Sequence, residues 1–219
     1  MARDQTLRRI LDGGLIAVVR AESGEQLAKV VGALAEGGVT AAEITFTVPD
    51  AIEVIRRVRR ESGDAVVLGA GTVLDPETAR AAILAGAEFL VGPTLNVEVV
   101  RLARRYDTAV MPGAFTPTEA LAAWEAGADI VKIFPADVGG PAYLKALRGP
   151  MPQLRLMPTG GVDLTTAEAF LKAGACCLGV GSSLVDPKAV ASGDFGRLRD
   201  LASQYAAIVR AFRRPATSP

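Results

Sequence analysis

The sequence of 219 residues predicts one α/β domain, residues 1–219, folded as a (β/α)8 TIM barrel. Three observations predict it. Short apolar runs, suited to burial on both faces, alternate eight times with segments of helical period. That is the pattern of a parallel sheet covered by helices. The joints AGAEFLVGP, AGADIVKIFP and AGACCLGVG repeat one plan, in which a helix ends on glycine and a buried strand follows within a few residues. Glycine there supplies the left-handed C-cap. No low-complexity linker divides the chain. A doubly wound open sheet competes, but it seldom carries eight such even units.

The units follow in order. LIAVVR (15–20) is the first strand, and GEQLAKVVGALAEGG (24–38) has helical spacing and a glycine stop. AAEITFTV (41–48) is the second strand, and PDAIEVIRRVRRES (49–62) opens on proline and acid, as a helix N-terminus does. AVVLGAGTV (65–73) is the third strand, and DPETARAAILAGA (75–87) begins on a good cap, Asp75. EFLVGP (88–93) precedes the helix NVEVVRLARRYD (96–107), and TAVMPGAF (108–115) precedes TPTEALAAWEAGA (116–128). DIVKIFPA (129–136) is the sixth strand, followed by the short helix PAYLKALRG (141–149). LRLMPTGGV (154–162) and DLTTAEAFLKAGA (163–175) form the seventh unit. CCLGVGSSLV (176–185) is the eighth strand, and the amphipathic segment 194–214 closes the chain. Residues 214–219 are expected to fray.

Composition excludes several functions. Lys+Arg and Asp+Glu both total 24, so no basic excess favours nucleic acid or an anionic membrane. Leu15 to Val19 is too short a run for a signal core or a membrane span, so a cytoplasmic protein is expected. The chain has no histidine, which removes histidine triads and histidine-ligated zinc. Acid–base work falls to carboxylate, lysine, tyrosine or water. Cys176 and Cys177 are neighbours without metal spacing and read as small core residues of a strand.

In such a barrel the active site lies at the C-terminal ends of the strands. Of five lysines, only Lys132 lies within a strand. Ile130, Lys132 and Phe134 share one face by the period-two rule. If that face is the interior, the ammonium is partly desolvated, and a neutral amine attacks carbonyl carbon. A structural pairing with a carboxylate is the alternative. Glu43, Thr45 and Thr47 share one face of the second strand, and Glu43 is the natural partner, either neutralising the ammonium or moving protons. PTGG (158–161) and GVGSS (179–183), with Thr159, Gly160, Gly161, Gly181 and Ser182, end strands seven and eight. Loops at those two places often hold phosphate, although glycine also serves simple turns. GAGT (69–72) reads as close backbone packing with Thr72 facing the site. Arg20 ends strand one and suits either a substrate carboxylate or a surface ion pair.

EITFTVPDA (43–51), GAGTVL (69–74), MPGAFTPTEA (111–120), VKIFPA (131–136), PTGGV (158–162) and GVGSSLV (179–185) occur in this order. Together they resemble the 2-keto-3-deoxy-6-phosphogluconate (KDPG) aldolase family, which also includes 4-hydroxy-2-oxoglutarate (KHG) aldolases. The likeness runs from LIAVVR to the final helix. It implies a class I aldolase, without metal or other cofactor, acting on a phosphorylated 2-keto acid. Lys132 would form a Schiff base with the ketone, and Glu43 would shuttle protons through a water. Thr72 and Pro93 would line the pyruvate end, with Phe134 beside the Schiff base. Thr159, Gly160, Gly161 and Ser182 would hold the far end with its phosphate. Some family sequences carry an arginine for the substrate carboxylate where this chain has Thr47, and Arg20 is the candidate replacement. The resemblance also implies a homotrimer.

Other readings stay open. The 2-keto-3-deoxy-6-phosphogalactonate (KDPGal) substrate differs at one stereocentre, and KHG cleavage needs no phosphate. From other classes come a phosphate-binding barrel isomerase or epimerase, which needs no buried lysine, and a non-catalytic trimeric scaffold.

Overall fold

The computed structural model describes residues 2–20 and 26–213. The chain runs α1 (Arg3–Gly13), β1 (Leu15–Val19), α2 (Leu27–Glu36), β2 (Ala41–Thr45), α3 (Ala51–Ser62), β3 (Val67–Gly71) and α4 (Pro76–Ala85). It continues with β4 (Phe89–Val91), α5 (Val97–Arg105), β5 (Ala109–Met111), β6 (Gly113–Ala114), α6 (Pro117–Glu125), β7 (Val131–Ile133) and α7 (Gly140–Arg148). Then come β8 (Leu156–Pro158), α8 (Ala167–Lys172), β9 (Leu178–Val180), α9 (Pro187–Ser192) and α10 (Phe195–Arg213).

The result is an α/β fold with a curled parallel sheet. One ladder runs β5-β4-β3-β2-β1-β9, and a second runs β6-β7-β8. A single bridge between Thr159 and Gly179 approaches from β8 to β9. Local sequence fixes where the helices begin and end. Asp75 accepts from the Thr78 N–H at 2.6 Å, Asn96 accepts from two amides of α5, and Thr116 with Glu119 forms a capping box on α6. At the repeated joints Gly86, Gly127 and Gly174 have φ of 106°, 103° and 100°, the left-handed turn the sequence pattern predicts.

Two apolar clusters sit on the two faces of the sheet. The larger joins outward strand residues such as Ala17, Ile44 and Leu90 to the helices. The smaller joins Ile16, Val67, Phe89, Met111, Ile130, Met157 and Cys177 inside the curl. Leu7 and Ile10 of α1 complete this inner cluster, so α1 closes the N-terminal end of the strands. Arg3 ties the helix down through an ion pair of 2.8 Å to buried Asp129, whose other oxygen accepts from the Val110 N–H at 2.9 Å.

Some expectations need correction. The fifth strand is broken at Pro112, which has no N–H to give to a ladder. The Pro112 carbonyl still accepts from the Lys132 N–H at 2.9 Å. The eighth strand begins at Leu178, after a bend at Cys176 and Cys177 that sets their sulfurs 3.9 Å apart. Both cysteines are free, with Cys177 buried and Cys176 partly so. Helices α1 and α9 lie outside the eight units that periodicity predicts. Leu7, Ile10 and Leu11 are the apolar stripe of α1, too brief to stand out among its charges. Residues 24 and 25 of the first expected helix and the expected frayed tail, 214–219, lie outside the described residues.

Candidate active site

The inner face turns polar toward the C-terminal ends of the strands. Glu43 is 1 % exposed and Lys132 is 5 % exposed. Glu43 pairs in register with Val18 on one side and Gly69 on the other, and Lys132 pairs with Gly113 and Met157. Glycine makes room for these side chains. A Cβ at Gly71 would stand 2.7 Å from Glu43 Oε1, and one at Gly179 would overlap Thr159 Oγ1. Gly113 presses on the backbone of Pro93 while pairing with Lys132, which brings Pro93 to the lysine's neighbourhood. The Lys132 ammonium lies 5.2 Å from the centre of the Phe134 ring.

Charge at this end is poorly compensated. Among the described residues no ion pair joins Lys132 or Arg20 to a carboxylate, and Glu43 Oε2 has no hydrogen-bond partner. Burial raises the Glu43 carboxyl above its ordinary pKa, and the positive fields of Lys132 and Arg20 oppose this without reversing it. Thr159 Oγ1 is also buried and unpartnered. The Thr45 and Thr47 hydroxyls lie 2.7 Å apart, on the face shared with Glu43.

A cavity of about 390 Å³ opens beside this group. Its lining includes Arg20, Phe134, Thr159, Gly160, Gly161, Gly181 and Ser182. Gly160 and Gly161 have φ of 92° and 67°. Successive residues of this kind turn backbone N–H groups toward a concavity that suits an anion. Asp163 and Thr166 brace the loop, the Thr166 hydroxyl donating to the Gly161 carbonyl at 2.8 Å. Among the described residues no group of three or more Cys, Asp or Glu is placed to hold a metal ion.

The sequence model of the KDPG and KHG aldolase family matches residues 7–201. The chain belongs to this family of aldolases. It is 38% identical over 206 residues to a 2-dehydro-3-deoxy-phosphogluconate aldolase of Pseudomonas aeruginosa, covering 93% of this chain and 91% of that protein. It is 36% identical over 200 residues to a 2-dehydro-3-deoxy-6-phosphogalactonate aldolase of Escherichia coli, covering 91% and 94%. Among solved structures it is similar to a KDPG aldolase of Legionella pneumophila with pyruvate captured as a covalent carbinolamine. That match has a TM-score of 0.85 and 27% identity, over 91% of this chain and 97% of the other. As a member of an aldolase family the chain is a carbon–carbon lyase.

Seven of the residues singled out from the sequence therefore share one cavity. Lys132 and Glu43 are not on its lining; they lie on the same inner face, next to two lining residues, Lys132 5.2 Å from the centre of the Phe134 ring and Glu43 in register with Val18. Thr72 and Pro93 are not on the cavity lining. Thr72 follows β3 with φ of 59°, a strained conformation for a β-branched residue, of the kind that clusters at functional sites. The sequence reading leaves out Val18, Ser183 and Pro187, which line the same cavity. Pro187 carried a usable signal: Asp186-Pro187 repeats the helix-start pair Asp75-Pro76, and Asp186 accepts from the Lys188 N–H at 2.9 Å.

Proposed function

We propose that this chain is a class I aldolase that cleaves KDPG to pyruvate and glyceraldehyde 3-phosphate, with Lys132 as the Schiff-base lysine. The observation that carries the reading is a buried lysine that no carboxylate pairs among the described residues, near a cavity rimmed by glycine loops and Arg20. The Lys132 amine adds to the C2 ketone, and loss of water gives an iminium. Glu43, acting through a water, takes the proton from the C4 hydroxyl as the C3–C4 bond breaks. The bond's electron pair passes into the enamine. Glyceraldehyde 3-phosphate leaves, Glu43 returns a proton to C3, and hydrolysis frees pyruvate. The raised pKa of Glu43 suits a group that must both accept and return a proton. Arg20 holds the carboxylate by a two-pronged contact. Gly160, Gly161, Gly181 and Ser182 receive the phosphate, Thr159 a hydroxyl of the chain between, Phe134 packs beside the iminium, and Thr72 and Pro93 line the pyruvate end. The carbinolamine in the Legionella relative supports covalent capture of pyruvate in this family.

The same reading covers the whole chain as one domain with a full (β/α)8 barrel. Bonds from the Asp129 N–H to Val110 O, the Lys132 N–H to Pro112 O and the Cys176 N–H to Leu156 O support closure across the two ladders. A homotrimer belongs to the same reading, and contact with a neighbouring subunit would cover exposed apolar residues such as Leu74, Leu84, Phe115 and Val138. Among the described residues no helix is long and apolar enough to cross a membrane.

A second substrate reading has its own support, because the Escherichia coli relative is named for KDPGal. Cleavage rates with KDPG, KDPGal and KHG separate the possibilities. KDPG is expected to give the highest kcat/KM. Equal values for the two phosphates defeat the narrow assignment, and no cleavage of any of the three defeats the aldolase reading.

A further inference from the structure

The loop after β8 holds one N–H idle between groups that are pinned. The Thr166 hydroxyl donates to the Gly161 carbonyl at 2.8 Å and accepts from the Asp163 N–H at 2.9 Å. Asp163 Oδ1, also within its reach at 3.2 Å, already takes shorter bonds from the Thr165 hydroxyl and from the Thr165 and Thr166 N–H groups. From the β9 loop, Ser183 Oγ donates to the Val162 carbonyl at 2.6 Å. The Gly161 carbonyl, the Val162 carbonyl and the Asp163 N–H are thus all taken. The Val162 N–H between them has no acceptor among the described residues, although Val162 is buried. Buried backbone N–H groups are nearly always paired. A trans peptide is planar, and its C=O and N–H point in opposite directions. Gly161 and Val162 line the cavity, and Thr166 stands behind them, off the lining. Drawing the Gly161 carbonyl back to Thr166 therefore turns the Val162 N–H forward.

We propose that Thr166 is a positioning residue, which holds the Gly161 carbonyl and so aims the Val162 N–H at the phosphate end of the cavity as a further donor to the anion. Thr166 does not touch the substrate and acts through one peptide plane. Gly161 has φ of 67° and no side chain to restrict it. Without the Thr166 hydroxyl this peptide is free to turn over, and its carbonyl then faces the anion. An attractive dipole gives way to a repulsive one at the same place. Binding of a phosphorylated substrate weakens, and the chemistry at Lys132 is untouched. This inference rests on the proposed placing of phosphate at these loops.

The test reads phosphate binding apart from ketone chemistry. Thr166→Val keeps the volume and removes the hydroxyl. It is expected to raise KM for KDPG about tenfold, near what one hydrogen bond to a charged group contributes, with kcat within about twofold. The inhibition constant of inorganic phosphate against KDPG should rise in step. KM for pyruvate in methyl-proton exchange, which involves no phosphate, should not change. Thr166→Ser restores the hydroxyl and should return KM and the inhibition constant to within about twofold of the unmodified protein. Thr165→Val removes a bond to Asp163 but none to Gly161, and should leave both values within about twofold. Should Thr166→Val not fold, Thr166→Ala carries the same expectation. An unchanged KM for KDPG, an equal rise for pyruvate, an equal rise in Thr165→Val, or no rescue by serine would each overturn the inference. If inorganic phosphate does not compete with KDPG in the unmodified protein, the phosphate placing itself fails and the inference with it. If it competes and loss of the Thr166 hydroxyl leaves its inhibition constant unchanged, only the inference fails.

Discussion

The two ends of the strands treat buried charge in opposite ways. At the N-terminal end Asp129 is met by Arg3 at 2.8 Å and by Arg104 at 3.6 Å, and Glu88 by Arg59 at 3.4 Å. Asp129 and Glu88 also accept from the Val110 and Leu68 amides. At the C-terminal end Glu43 and Lys132 are as deeply buried, yet no ion pair joins them among the described residues. A paired buried charge fixes the packing of one element on another. An unpaired one is destabilising unless a ligand completes it. The contrast teaches that burial alone does not mark a site. Burial without a partner, beside a cavity, does.

The contrast breaks most sharply at Lys132. Lys132→Met should lower the cleavage rate by about 10³-fold or more, because the nucleophile is gone, without lowering the urea midpoint. A midpoint lowered as far as by loss of Asp129 would give the lysine a structural role. Glu43→Gln should lower kcat by roughly 10²- to 10⁴-fold, the usual range for a general acid–base group. Exchange of the pyruvate methyl protons with solvent should collapse in parallel, and unchanged exchange would assign the proton transfer elsewhere. At the other end Asp129→Ala should cost about 1–3 kcal/mol in urea unfolding, since it leaves the buried Val110 N–H without its acceptor and takes the carboxylate from the partly exposed Arg3 and Arg104, with kcat within about twofold. A large loss of activity at unchanged stability would erase the distinction between the ends.

The smallest effect is a pH dependence. The folded-state pKa of Glu43 is raised above its ordinary value of 4.5. Its contribution to stability is therefore fully present below the unfolded value and is lost as pH rises through the folded one. From about pH 4 upward the wild-type protein should lose stability relative to Glu43→Gln, and the gap should level off once the folded-state carboxyl has ionised. Urea midpoints at a series of pH values measure this. A gap that closes with rising pH would mean that Glu43 is stabilised as a carboxylate, by a partner it lacks here.

Much of this was legible in the sequence, for physical reasons. The Ala-Gly-Ala joints need a left-handed residue, and only glycine takes that conformation freely, so the units could be counted. Lys132 and Glu43 stood out because strands alternate faces and charges are rare among apolar neighbours. What escaped depends on contacts across the fold. The α1 stripe has meaning only once an open strand end needs covering. Pro112 reads as part of one strand until its missing N–H is set against two neighbours. Thr72 and Pro93 were visible at strand ends, but their distance from the cavity lining was not.

The central claim is that the unpaired Lys132 is the amine that captures the ketone. Incubation with pyruvate, reduction with borohydride and peptide mapping by mass spectrometry test it directly. The account predicts one reduced pyruvate adduct, on Lys132 and on none of the chain's other lysines, Lys29, Lys145, Lys172 and Lys188. No adduct, or an adduct on one of those four, would contradict it.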